Sequence, residues 1–337
     1  MRNLFDPRPK KSRKELYDRE KELEFLDKNV EKPLIAVLGI RRIGKTSLLK
    51  AFLEPHRGVY VDMRGVTTQA ELYERLADAL TEGWGKVKEA LRGVRGIEVM
   101  GVGVSIKWRG RGSISLVGLL EELNKKGRFI IVFDEVQEAR PPISAELKRA
   151  AAYAYDNLEN LTVILSGSQI GLLERFMATE DASSPLYGRY VARLTLPRFT
   201  REQSLDFLQL GFKEAGVAPP PSQLEEAVDF FDGIPGWLVH FGLAYLEGGS
   251  LEAAKEAAVA LALEELAKLS KREKLVLRAV AQGASSWAAV RRYVEEASGE
   301  ALPKSTTSRL LDKLEALGII KDFKFLDPVY REAAKRL

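Results

Sequence analysis

The sequence predicts an α/β fold: a parallel β-sheet covered by helices on both faces, followed by two mainly helical units. Two observations carry this prediction. Short, continuously apolar runs alternate with segments of helical period up to about residue 200, and mainly helical segments follow. Continuous apolar runs are typical of strands that are buried on both faces, as in a parallel sheet. We expect a core over 1–200, a helical unit over 201–268 and a compact C-terminal unit over 269–337.

Five apolar runs are the strand candidates of the core. They span residues 33–38, 59–63, 128–133, 162–166 and 191–196, and the helical segments around them span 15–30, 69–82, 115–126, 143–158 and 169–178. The alternating, glycine-containing stretch 97–108 interrupts this order and predicts an inserted β-hairpin. Its flanks are basic, so the hairpin is either a solvated loop or a surface that contacts nucleic acid or another partner.

Beyond the core, the apolar periodicity is helical. The helical segments of the second unit span 201–216, 222–231, 236–247 and 251–268, and those of the C-terminal unit span 271–282, 285–298 and 305–317. A run of three prolines, 219–221, separates the first two of these segments because proline breaks a helix interior. The stretch 319–326 (IIKDFKFL) then leaves only about two residues for a turn between two short strands.

Composition excludes several kinds of chemistry. The chain contains no cysteine and only two histidines. It therefore cannot have a disulfide scaffold, a Cys-ligated zinc site or a thiol nucleophile, and a Ser-His-Asp relay is disfavoured. No apolar run is long enough to span a bilayer, and the basic N-terminus lacks the apolar core of a secretory signal. We expect a cytoplasmic protein without a membrane partner.

The net charge of +4 is unevenly distributed. Residues 1–14 and 271–337 each carry five positive charges in excess, whereas the middle of the chain is acidic. Basic ends favour contact with a polyanion, but a charge-rich thermophile surface with Lys/Glu pairs gives the same pattern. The charge distribution leaves both interpretations open.

A phosphate-binding motif follows the first strand. The stretch 39–46 (GIRRIGKT) fits G-x-x-x-x-G-K-[ST], in which a glycine-rich turn exposes backbone N–H groups to phosphate oxygens. The expected nucleotide-binding residues here are Gly39, Arg42, Ile43, Gly44, Lys45, Thr46 and Ser47. We expect Lys45 to neutralise the β- and γ-phosphates, and the Thr46 hydroxyl to ligate Mg²⁺.

The third strand of the sheet ends in a pair of acids. The run 129–135 (FIIVFDE) brings two carboxylates to the same edge of the sheet as the P-loop. We expect Asp134 to hold Mg²⁺ and Glu135 to polarise the attacking water. Because the chain has no N-K-x-D motif for guanine, ATP and its product ADP are the expected ligands.

Four further segments accompany these motifs: 16–23 (LYDREKEL), 164–169 (ILSGSQ), 185–189 (PLYGR) and 233–237 (GIPGW). With the P-loop and the acid pair they occur in the order typical of the archaeal Walker-type ATPases of the AAA+/STAND class. The chain resembles this family over nearly its whole length and is more distantly similar to the origin-recognition ATPases. The resemblance implies a P-loop ATPase core, a helical lid over 201–268 and a C-terminal winged helix.

The resemblance also assigns roles to single residues. It implies that Arg19 lies near the adenine and that Pro235 packs beside it. It implies that Ser168 or Gln169 contacts the γ-phosphate or the water, although a simple turn at the end of a strand is the alternative. It makes Arg189 the candidate arginine finger, acting on a neighbouring subunit or within the same chain, unless it only caps the preceding helix. The helix after GIPGW lacks the sensor-2 arginine of AAA+ motors, which favours a STAND-like switch.

The C-terminal unit resembles a winged helix whose recognition helix is the segment 305–317. Its leucines form one apolar stripe, and Thr306, Arg309 and Lys313 stand away from that stripe, spaced to face one groove of duplex DNA. The short wing weakens the grip on DNA, and many winged helices bind proteins instead.

Three functions are therefore considered. The first is a Mg²⁺-dependent regulatory ATPase whose nucleotide state repositions the winged helix on DNA. The second is a slow protein-interaction switch that does not bind DNA and has a protein partner or self-associates. The third, ranked lowest, is a small-molecule kinase, for which no acceptor pocket is evident.

Overall fold

A computed structural model describes residues 3–83, 85, 91, 94–100 and 103–337 of the chain. The expected hairpin is present as an antiparallel pair of strands, 97–100 and 103–106, and its residues 101 and 102 lie outside the described residues. The Trp108 ring, just after the hairpin, stacks on Tyr73 with 5.8 Å between the ring centroids.

The core alternates strands and helices as the apolar runs predict. Its elements are α1 (Glu20–Lys28), β1 (Leu34–Leu38), α2 (Lys45–Leu53), β2 (Gly58–Asp62), α3 (Gln69–Glu82), β3 (Ile97–Met100), β4 (Gly103–Ile106), α4 (Leu116–Asn124), β5 (Phe129–Asp134), α5 (Ile143–Asn157), β6 (Leu161–Gly167), α6 (Ile170–Met177) and β7 (Ala192–Thr195). Five strands form one parallel sheet in the order β2-β5-β6-β1-β7. The predicted fold class is confirmed.

The sheet is buried on both faces because successive side chains of a strand point to opposite sides. On β1, Leu34, Ala36 and Leu38 belong to the core under α3, α4 and α5. Ile35 and Val37 belong to a second core, under α1 and α2. All five residues of β1 are buried, which is why this strand reads as an unbroken apolar run.

The remaining elements are helical apart from one small hairpin. They are α7 (Arg201–Glu214), α8 (Pro221–Phe231), α9 (Pro235–Leu246), α10 (Leu251–Ala267), α11 (Lys271–Ala281), α12 (Trp287–Ser298), α13 (Lys304–Ala316), β8 (Ile320–Lys321), β9 (Lys324–Phe325) and α14 (Pro328–Ala334). β8 and β9 are the short wing, and its turn consists of Asp322 and Phe323, both with positive φ. The sequence patterns gave no indication of α14.

One hydrophobic core runs through both of these units. It joins residues of α7 to α10, such as Phe231 and Phe241, to residues of the winged helix, such as Val276, Leu314 and Val329. Helix α14 packs along α10 and closes this core. The lid and the winged helix are thus packed as one body.

That body rests on the carboxyl edge of the sheet. The end of α13 packs on α6 so closely that a Cβ on Gly171 would lie 2.6 Å from the Cα of Ala316. The neighbouring Gly318 faces the backbone oxygen of Ser168, at the end of β6. Among the helices of the described residues, none combines the length and apolar character needed to cross a membrane.

Candidate nucleotide-binding site

The P-loop connects β1 to α2 at the carboxyl edge of the sheet. Arg42 has φ of 64° and Gly44 has φ of 100°, so the loop turns its backbone N–H groups inward, towards the start of α2. Lys45 is 5% exposed, and its Nζ donates to the backbone oxygens of Gly39 at 2.9 Å and Ile40 at 3.0 Å. Burial lowers the pKa of the Lys45 ammonium.

Asp134 lies directly behind the P-loop. Its Oδ2 accepts hydrogen bonds from Thr46 Oγ1 at 2.8 Å and from the hydroxyl of Tyr60, on β2, at 2.5 Å. A hydroxyl and a carboxylate side by side are oxygen ligands of the kind that Mg²⁺ prefers, directly or through water. Among the described residues, no group of three or more His, Cys, Asp or Glu side chains is arranged to hold a metal ion, but Mg²⁺ held with substrate phosphates needs none. The residues fit this ion.

Glu135 takes a strained backbone position next to Asp134. Its φ of 56° is left-handed, which is uncommon for a residue with a side chain and is often found at functional sites. The carboxylate accepts hydrogen bonds from the backbone N of Ser168 at 3.1 Å, from Ser168 Oγ at 2.7 Å and from Gln137 Nε2. Glu135 is therefore held at the end of β6.

A cavity of about 580 Å³ lies over these residues. Its lining includes the P-loop, Glu135, Ser168 and Gln169. It also includes apolar side chains, among them Pro7, Leu16, Val239 and Leu243. A cavity that combines cations and a P-loop with apolar side chains suits a nucleoside triphosphate.

Arg19 and Pro235 line the same cavity. Arg19 is 5% exposed, its Nη2 donates to the Ile43 backbone oxygen at 3.2 Å, and its guanidinium lies 4.7 Å from the centre of the Phe199 ring. Burial lowers the pKa of this guanidinium. Pro235 begins α9, and the next residue, Gly236, donates its N–H to the Arg42 backbone oxygen at 2.9 Å.

Arg189 lies away from the cavity. It precedes β7, whose first residue, Ala192, pairs with Ile35 near the start of β1, at the edge of the sheet opposite to the P-loop. Its guanidinium donates to both oxygens of Asp156, at 3.1 and 2.6 Å, and to the Pro185 backbone oxygen. A contact between Arg189 and phosphate within the same chain does not fit this arrangement.

A charged cluster ties the P-loop to the lid and the winged helix. The carboxylate of Glu265, on α10, accepts from Arg41 and Arg42 at 3.0 Å each and from the hydroxyl of Tyr330, on α14. Although burial alone would raise the pKa of Glu265, these three partners hold it below its usual value. Arg42 also lies over the Trp237 ring at 3.9 Å. No local sequence pattern indicates this cluster, because its members are far apart in the chain.

The three candidate DNA-contact residues differ in their surroundings. Arg309 is exposed on α13 and Thr306 is half-buried. The ammonium of Lys313 is 2.6 Å from the carboxylate of Glu273, which is almost fully buried on α11. Burial would raise the pKa of Glu273, but the hydrogen bonds from Lys313 and Ser270 lower it. Lys313 is thus already bound to an acid.

The sheet order, the P-loop and the acid pair together define the class of this protein: a P-loop ATPase of the AAA+ type with a lid and a winged helix. Comparison with family models specifies it further. Residues 16–241 match the model described as an ATPase domain predominantly from Archaea, and the chain belongs to this family. Residues 268–332 match the C-terminal winged helix-turn-helix domain of MCM proteins.

Solved structures agree with this assignment. The chain is 36% identical to the Walker-type ATPase PABY2304 of Pyrococcus abyssi, with a TM-score of 0.87, over 99% of this chain and 100% of that one. Cdc6p from Pyrobaculum aerophilum shares the fold at 19% identity, with a TM-score of 0.50, over 95% of this chain and 91% of that one. A search of curated proteins gave no match.

Proposed function

We propose that the protein is a regulatory ATPase that binds ATP, hydrolyses it slowly and uses its nucleotide state to move the lid and winged helix together. The observation that carries the proposal is that Lys45, Thr46 and Glu135 line one cavity, with Asp134 hydrogen-bonded to Thr46 behind it. Family membership supports nucleotide binding in general, and the geometry supports the roles of single residues.

Hydrolysis would proceed by in-line attack of water on the γ-phosphorus. The oxygen of water bonds to phosphorus, the bond to the ADP oxygen breaks, and the proton of the water passes to Glu135. Lys45 exchanges the carbonyls of Gly39 and Ile40 for phosphate oxygens. Thr46 and Asp134 would hold Mg²⁺, which supplies charge neutralisation at the phosphates when bound. Arg189 would act only across an interface with a second copy, as a finger on its γ-phosphate.

The hydrogen bonds of Glu135 support slow turnover. In this conformation Ser168 and Gln137 donate to a single oxygen of Glu135, Oε2, and hold the carboxylate at the end of β6. We expect the carboxylate to turn away from these donors when it takes a proton from water. Ser168 therefore acts first on Glu135, and its contact with the γ-phosphate would require the same rearrangement. Release of Glu135 is the step at which a partner could accelerate hydrolysis.

The Glu265 cluster supports coupling to the winged helix. Arg41 lines the cavity and is bound to Glu265, while Arg42 and Tyr330 share the same carboxylate. A bound phosphate that attracts Arg41 would weaken the ion pair between Arg41 and Glu265, which joins the P-loop to α10. Because α10 and the winged helix share one core, both would move together.

Duplex DNA is the partner proposed for the winged helix. The exposed Arg309, Lys304, Lys321 and Lys324 offer phosphate contacts on this unit. The alternative is a protein-interaction switch that does not bind DNA. It is favoured by the two-residue turn of the wing and by the ion pair that already engages Lys313.

Phosphate release should be measured for the wild type, Glu135→Gln and Lys45→Ala, each with and without duplex DNA. We expect slow release by the wild type, stimulation by DNA, and loss of at least about a hundredfold in both variants. Equal release by Glu135→Gln and the wild type would refute the role of Glu135. A rate of phosphate release that duplex DNA does not change at low salt, together with ADP retained after purification, would favour the protein-interaction switch.

A further inference from the structure

The segment 3–15 crosses from the lid to the core and is called here the N-terminal strap. It lies outside the stretch 16–241 that matches the archaeal family model. Its basic composition suggests an exposed tail, yet Leu4 and Phe5 are each only 3% exposed. The strap is therefore a folded part of the molecule.

Its first anchor is in the lid. The Phe5 ring occupies a slot between α7 and α9, where a Cβ on Gly211 or Gly242 would lie 2.4 or 2.5 Å from ring atoms. Phe5 meets Phe212 edge to face, with 4.9 Å between centroids. Leu4 donates its backbone N–H to the carboxylate of Glu214 at 3.0 Å. The two glycines provide the space that an aromatic ring needs.

The second anchor is in the core. The backbone N–H of Lys10 donates to Ser47 Oγ, in the first turn of α2, at 3.1 Å. Arg13 makes two hydrogen bonds to the carboxylate of Asp27, on α1, at 2.8 and 2.7 Å. The strap is thus fixed to the element that begins at the P-loop lysine.

Between the anchors the strap forms a wall of the cavity. Residues 6–10 (DPRPK) all line it, as do Leu16 and, on α9, Leu243. Two prolines restrict the backbone of this stretch, and Arg8 is paired with Asp6 at 2.9 Å. A preformed wall of this kind reduces the freedom of a bound ligand to leave.

From this arrangement we infer that the N-terminal strap is part of the nucleotide-binding site, and that Phe5 is a positioning residue that sets how fast a purine nucleotide leaves. The inference rests on the proposed nucleotide binding. Phe5 is not among the residues that line the cavity. It acts by keeping the wall 6–10 in place over the cavity.

The test is the rate at which a fluorescent ADP, mant-ADP, leaves the full-length protein in stopped flow. We expect release from Phe5→Ala to be at least about tenfold faster than from the wild type, and release from Phe5→Leu to be intermediate because leucine keeps part of the buried contact. Phe25→Ala, on α1, is the matched control for loss of an aromatic ring elsewhere, and should release at the wild-type rate.

A second variant removes the Phe5 ring from its slot by a change in the lid. In Gly242→Ala the new methyl group displaces the ring, so release should be as fast as in Phe5→Ala, and the double variant should be no faster than either. Wild-type release from a folded Phe5→Ala protein, or equal acceleration by Phe25→Ala, would overturn the inference and leave nucleotide binding intact. Failure of the wild type to bind mant-ADP would instead refute the proposed function.

Discussion

Replacing Glu265 by glutamine removes the charge that joins the P-loop to the lid and winged helix while it keeps the shape of the side chain. The carboxylate binds Arg41, Arg42 and Tyr330 together. Glutamine keeps one acceptor oxygen and adds two N–H donors that face guanidinium groups. We expect this change to loosen the body formed by the lid and the winged helix from the core.

The magnitude follows from the exposure of the partners. Arg41 is 50% exposed at its side chain, so its ion pair is screened and contributes at most about 1 kcal/mol. Arg42 is 22% exposed and Glu265 21%, so their hydrogen bond is better protected and is worth roughly 1.5 kcal/mol. The loss is about 2 kcal/mol, which corresponds to a roughly thirtyfold shift in the docking equilibrium.

Hydrogen exchange measured by mass spectrometry reports this shift at the seam between α6 and α13. Peptides that cover 168–177 and 304–316 should exchange roughly thirtyfold faster in Glu265→Gln than in the wild type. Glu264→Gln, which removes the same charge from an exposed neighbour, is the control and should leave the seam unchanged. Unaltered exchange at the seam in a folded Glu265→Gln protein would refute the coupling role of the cluster.

Three further predictions concern other parts of the molecule. Tyr60→Phe takes one donor from Asp134, so a magnesium titration of phosphate release should show a requirement raised roughly tenfold; an unchanged titration would contradict the supporting role of Tyr60. Arg189→Ala should leave ATP binding intact but abolish the rise of specific activity with protein concentration, and an identical rise would exclude an action between copies. Because partners lower the folded-state pKa of Glu265 below 4.5, its stabilising effect is present above that value and is lost as the pH falls through the folded pKa. Protection of the seam, expressed relative to the intrinsic exchange rate at each pH, should therefore weaken below about pH 4.5 in the wild type, whereas protection that does not change with pH would contradict the ion cluster.

The sheet and the P-loop could be predicted because their information is local. β1 and β5 are buried on both faces, so each reads as an unbroken apolar run, and their bounds agree with the predicted ones to within one residue. The parallel arrangement then brings the ends of these strands to one edge. The proximity of Asp134 to Thr46 follows from that geometry, although the residues are 88 positions apart.

The partners of the charged residues could not be predicted in the same way. Arg41 and Arg42 look like ordinary variable positions of a P-loop, and Glu265 looks like one of several acids on an amphipathic helix. Their meeting depends on how the lid is oriented on the core, which no local periodicity encodes. The partners of Lys313 and Phe5 could not be predicted for the same reason. Lys313 pairs with Glu273 on another helix, and Phe5 looks like part of a basic tail although it packs in the lid.

The arrangement of these contacts constrains how nucleotide can act. The lid and the winged helix share one hydrophobic core, so bending between them would expose apolar surface at roughly 25 cal/mol per Å². The contacts between that body and the core include the Glu265 cluster, the packing of Gly171 on Ala316, the strap, and the ring of Tyr17 against Phe207. Under the proposed function we therefore expect nucleotide to move the lid and the winged helix together, as one body about the P-loop, without a separate hinge between them.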